Sequence, residues 1–151
     1  MLTQPVTQIL EKRHAVLKQD YDCGEFIIPK GFQFDGATMP TWTWSLMQLE
    51  PFGRIGAAAL PHDLLYVTLG IVWGKDGKHL HYTEAEADEM FYHRAEQCDL
   101  NWLQARLVRR AVILFGDYDH KMKSRSYHWN REWIKKYIQG DFYEQTTATN
   151  S

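Results

Sequence analysis

His62, Asp63, Asp88 and Asp35 are the residues of this 151-residue chain whose types and spacing could do chemistry. His62 and Asp63 stand together in His62-Asp63-Leu64-Leu65-Tyr66, inside an apolar run from Ile55 to Ile71. Burying an imidazole and a carboxylate costs free energy unless each finds a partner. Neighbouring helical residues point about 100° apart, so the two address different partners. Asp88, in Ala87-Asp88-Glu89-Met90-Phe91, sits at the margin of an apolar stripe from which it can reach one imidazole nitrogen. Such a bond would fix the tautomer and let the other nitrogen act as a general base. Asp35, in Phe34-Asp35-Gly36-Ala37-Thr38, joins Asp63 as a pair of hard oxygen donors for a divalent cation, completed by loop carbonyls around Gly36. Those donors suit calcium better than zinc. His79, His81 and His93 are the zinc alternative, although alternating histidines in a Gly/Lys loop are more often solvated. Each group also has an ordinary use: a His-Asp pair can cap or satisfy a core, and Asp-Gly is a common turn.

The elements that must position these groups follow from turn signals and periodicity. Residues from about 12 to 35 read as strands, with Ala15-Val16-Leu17 and Phe26-Ile27-Ile28 flanking the turn-rich Asp20-Tyr21-Asp22-Cys23-Gly24 as a hairpin. Thr41 to Leu49 reads as a short helix. From Ile55 the positions 55, 58, 59, 62, 63 and 66 share one helical line, and 57, 60, 64, 67 and 71 a second, apolar one. A helix apolar nearly all round belongs at the centre, although Pro61 demands either a kink or a first turn at that point. Gly70 and Gly74-Lys75-Asp76-Gly77-Lys78 mark a loop. Thr83 and Glu86 match a capping box opening a helix to about residue 98. A further helix spans about 101 to 115. A last amphipathic one spans about 117 to 138, with Tyr118, Met122, Trp129, Trp133 and Tyr137 on one side. The expected fold is α+β, a small N-terminal antiparallel sheet packed on a bundle of three to four helices. It forms one domain over residues 1–139, with 140–151 as a flexible tail.

Bulk properties narrow the function classes. The net charge of −2 gives no global push toward nucleic acid or membrane. The basic and aromatic residues of the last helix could face a partner, but one aromatic stripe packs more simply on a core while the basic face stays wet. Cys23 and Cys98 lie far apart, outside any metal-type spacing, and read as free thiols. No basic and apolar leader stands at the N-terminus, and no apolar stretch approaches the roughly 20 residues that span a bilayer. A soluble protein is expected.

Three segments carry a resemblance: Gly31-Phe32-Gln33-Phe34-Asp35-Gly36-Ala37-Thr38-Met39-Pro40, Ala57-Ala58-Ala59-Leu60-Pro61-His62-Asp63-Leu64-Leu65-Tyr66 and Ala87-Asp88-Glu89-Met90-Phe91. In order and spacing they resemble a family of phage and prophage proteins of unknown function, over roughly residues 12 to 120. That resemblance implies a phage or prophage origin and a host-cytoplasmic or virion-associated location. The segment from Asp35 to Tyr66 is also distantly similar to small bacterial secreted phospholipases A2, in which an Asp-Gly-Cys-Ser calcium loop precedes a Cys-x-x-His-Asp-x-x-Tyr helix and a later antiparallel helix carries an Asp. The similarity implies His62 as the base that activates water, Asp88 as the carboxylate orienting it, and Tyr66 as a supporting hydrogen-bond donor. Asp35 and Asp63 would be calcium ligands. Ala37 and Ala59 stand where that pattern has half-cystines, which fits a chain folded in a reducing compartment. Pro61 departs from it. The leading expectation is a phage-encoded, calcium-assisted hydrolase of an ester or lipid. The alternative is a non-enzymatic virion component or inhibitor of a host factor, in which the cluster only joins elements.

Overall fold

The computed structural model describes residues 2–11, 14–34, 55–98, 100–115 and 125–143. The Asp35 turn and the helix expected from Thr41 to Leu49 lie outside them. Strands β1 (Thr7–Glu11), β2 (His14–Leu17), β3 (Tyr21–Asp22), β4 (Ile27–Ile28) and β5 (Gln33–Phe34) open the chain. β2 lies between β1 and β5, antiparallel to both, with Val16 opposite Gln8 on one side and Gln33 on the other. Ala15 and Leu17 are buried while His14 and Val16 are only partly so, the period-2 alternation of a sheet with one face on a core.

The hairpin expected between residues 15–17 and 26–28 is not made. Its turn instead closes the tighter β3–β4 pair, in which Asp22 Oδ1 accepts from the Gly24 N–H at 2.7 Å and Cys23 N–H donates to the Phe26 carbonyl. Gly24 takes φ 99°, a conformation that glycine adopts without steric cost. β1 is an unexpected strand. Its Ile9 and Leu10 are adjacent and both exposed, so it shows no alternation to read.

Helix α1 (Gly56–Val67) follows, and all twelve of its residues are buried, as a central helix requires. It contains Pro61 in its interior rather than in its first turn. The apolar line running to Ile71 overshoots its end. The Gly70 N–H donates back to the Leu65 carbonyl at 2.7 Å with φ 82°, which closes the helix, and Ile71 opens β6 (Ile71–Trp73). The glycine loop then turns β6 into β7 (His79–His81), a hairpin not foreseen.

Helix α2 (Glu84–Glu96) opens on the expected capping box: Glu86 N–H donates to Thr83 Oγ1, and Thr83 N–H donates to Glu86 Oε2 at 2.7 Å. That bond holds the Glu86 carboxyl below its usual range. α3 (Trp102–Phe115) packs on α2. The first part of the helix expected from about 117 to 138, up to residue 124, lies outside the described residues; within them it divides into α4 (Arg125–Trp129) and α5 (Arg131–Gln139). Asn130 makes the break. Its side chain accepts from the Gln33 N–H at 2.8 Å and donates to the Gln33 carbonyl, pairing with β5 as a neighbouring strand would.

Trp133 and Tyr137 hold α5 to the body. Trp133 meets Phe32 at 5.1 Å between ring centres, and Tyr137 accepts from both the backbone N–H and the indole N–H of Trp73. Phe142 and Tyr143 stack on Trp133 and Trp73, while 144–151 lie outside the described residues. The architecture is α+β, a small antiparallel sheet region with several helices.

Cys23 and Cys98 are free thiols. Burial pushes the Cys23 thiol up to about 12 and raises Cys98 as well. At pH 8 a thiol with that pKa is thiolate in about one molecule in 10,000. Native Cys23 should therefore resist iodoacetamide until the chain is unfolded by urea. Labelling of the half-buried Cys23 at a small-thiol rate in the native state would contradict its raised pKa.

Candidate functional site

α1 and α2 run antiparallel, since residue 57 lies beside residue 94 and residues 62 and 66 beside residue 88. Alanines 57, 58, 59, 87 and 95 are all fully buried, and Ala58 and Ala59, one turn before His62, keep side chains short on its side of α1. His62 and Tyr66, one helical turn apart, therefore present to the same stretch of α2. His62 Nε2 lies 2.9 Å from Asp88 Oδ1, and the Tyr66 hydroxyl donates to that same oxygen at 2.6 Å. The imidazole is seated between the Tyr66 ring at 4.2 Å and the Phe91 ring at 5.0 Å. The His62 side chain is 1% exposed and that of Asp88 14%, so the carboxylate lies nearer the surface.

A carboxylate against Nε2 fixes the proton on that nitrogen and the lone pair on Nδ1. The same carboxylate would stabilise an imidazolium formed when Nδ1 takes a proton. Tyr66 anchors the carboxylate from the other side. One helix–helix contact brings together His62 and Asp88, which the sequence singled out, and Tyr66, which the phospholipase resemblance added.

Asp63 is fully buried on α1, about 100° around the helix from His62. Asp35 lies outside the described residues. Among the described residues no group of three or more His, Cys, Asp or Glu is arranged to hold a metal ion. His93 pairs with Glu89 and Glu96 on the exposed face of α2, separate from the His79–His81 strand.

Two residues that position α1 carried no functional mark in the sequence. Pro61 has no N–H, so the carbonyl of Ala57, which residue 61 would ordinarily bond, needs another donor. Arg94 supplies it. Its Nε donates to Ala57 O at 2.8 Å, while its other nitrogens donate to the Cys23 carbonyl and the Tyr21 hydroxyl. Gln4 acts at the helix start, where its Oε1 accepts from the Ala57 N–H at 2.9 Å in place of a local cap. The available signal for Arg94 was a cation on an apolar helical stripe together with a proline one helix away. Gln4, some fifty positions from its partner, gave none.

Residues 11–112 match the family described as protein of unknown function (DUF1353), about two-thirds of the chain. The chain belongs to this family. The DUF1353 span contains Asp35, His62, Asp63, Tyr66, Asp88 and Arg94, whereas Asn130, Trp133 and Tyr137 lie beyond it. No curated protein and no solved structure matches the chain. Among the described residues no helix is long and apolar enough to cross a membrane.

Proposed function

We propose that this chain is a phage- or prophage-encoded hydrolase in which His62 acts as general base on water, oriented by Asp88 and supported by Tyr66. The supporting observation is one carboxylate oxygen bonded to both His62 Nε2 and the Tyr66 hydroxyl, the arrangement implied by the likeness to phospholipases A2. The phage origin and the ester or lipid substrate rest on the motif resemblances. Asp63 and Asp35, with carbonyls near Gly36, would hold a divalent cation, calcium ahead of zinc. When bound, such a cation polarises a scissile carbonyl and stabilises the resulting oxyanion. His62 Nδ1 takes the proton of the attacking water, and Asp88 holds the imidazolium in place until the proton passes to the leaving group. Burial between Tyr66 and Phe91 keeps the ring in a single orientation.

A second reading is favoured by the 1% exposure of His62. In it the protein is a non-enzymatic virion component or host-factor inhibitor, and the network only joins α1 to α2. His62→Asn separates the two. As a base, His62 gives calcium-dependent cleavage of a short-chain phospholipid that falls at least 100-fold in the variant, with calcium heat retained in calorimetry. As a joint, it gives no activity above background in either protein, no calcium heat, and a melting temperature lowered by several degrees in the variant.

A further inference from the structure

α3 carries a surface that the site does not use. Trp102, Leu103, Arg106, Leu107 and Arg110 are all exposed. Trp102 is 75% exposed, Leu103 50% and Leu107 38%. At 100° per residue these five fall within about 140° of arc, opposite the buried Ala105 and Val108. The helix contains three arginines and no acidic residue. Arg109, at the margin of this face, is turned onto α2, where it bonds Glu89 at 3.1 Å and covers the Tyr92 ring. Arg106 and Arg110 stay with the apolar group.

We propose that this face of α3 seats on an anionic lipid surface, with Trp102, Leu103 and Leu107 in the interfacial layer and Arg106 and Arg110 on lipid phosphates. The composition selects that occupant. A second copy joined by a two-fold axis would bring the two arginines of each α3 against those of the other, like charge on like charge. An anionic bilayer takes both kinds of residue at once, because arginine keeps its stem in the apolar layer and its guanidinium at the headgroups, and tryptophan prefers that boundary. With fourteen residues and three arginines, α3 lies along a surface rather than across a bilayer. The inference is independent of the hydrolase reading, since partitioning is measured without turnover.

Sedimentation of the full chain with phosphatidylcholine vesicles, with and without about one-third phosphatidylglycerol, tests it. Each arginine near an anionic surface contributes about five-fold in partitioning. Arg106→Gln with Arg110→Gln should lower binding to the anionic vesicles about 25-fold, and Trp102→Ala with Leu107→Ala should lower it comparably. All four positions are exposed, so the variants should melt with the wild type. Indifference of vesicle binding to both pairs of substitutions would overturn the proposal. So would no binding by the wild type, or a concentration-dependent dimer that Leu107→Arg dissociates in the absence of lipid.

Discussion

Asp88→Asn is expected to leave the fold almost untouched while cutting hydrolysis about 100-fold, at the low end of what a positioned proton-transfer group contributes. Asn keeps a carbonyl oxygen where Asp88 Oδ1 now accepts from His62 and Tyr66. The Tyr66 hydroxyl has a proton to donate, so it should hold the new amide with its oxygen inward and preserve the His62 tautomer. What is lost is the negative charge that stabilises an imidazolium. Asp88→Ala differs in kind. It leaves the His62 Nε2–H and the Tyr66 hydroxyl without their shared acceptor, at a cost of about 2–4 kcal/mol, or about 5–10 °C in melting temperature for a chain of this length. Adding Tyr66→Phe to Asp88→Asn frees the amide to turn over, and activity should fall further than the two single effects combined. Thermal melts read beside a phospholipid cleavage assay check all three. Equal destabilisation by Asn and Ala, with cleavage unchanged in either, would remove Asp88 from the chemistry.

The contact that joins His62 and Tyr66 to Asp88 rests on two local rules. Four-residue spacing puts His62 and Tyr66 on one face, and the Thr83–Glu86 capping box fixes where α2 begins and hence where Asp88 stands. Strand pairing was not legible. Ala15-Val16-Leu17 carries the alternation of a strand, but its partners are chosen by which edges the rest of the chain delivers, and β1 offers no alternation because its Ile9 and Leu10 both face solvent. Asn130 is hidden for a related reason. It reads as one polar residue in a helical pattern, and only β5 beside it reveals a backbone needing a partner. Ile71 was drawn into α1 by an apolar periodicity that cannot show where a Gly70 closure will act.

Arg94→Met should destabilise the protein by about 3 kcal/mol, and Pro61→Ala should recover part of the loss. Arg94 donates to two backbone carbonyls and a tyrosine hydroxyl, and the Ala57 carbonyl is the one that Pro61 deprives of its helical donor. An alanine at 61 restores an N–H four residues along, so the same Arg94→Met change should cost about 1–2 kcal/mol less in that background. Pro61→Ala alone should lie within about 1 kcal/mol of wild type, the regained helical bond offsetting the lost stiffness of the unfolded chain. Urea unfolding of the four proteins with a common slope measures the coupling. Strict additivity would mean that Arg94 does not stand in for the missing amide. A positive coupling ties Pro61, the residue before His62, to the arginine that holds α1 against α2. The proline that departs from the phospholipase pattern would then be accommodated by a donor this chain supplies from its second helix, with the His62–Asp88 contact about one and a half turns from that bond left intact.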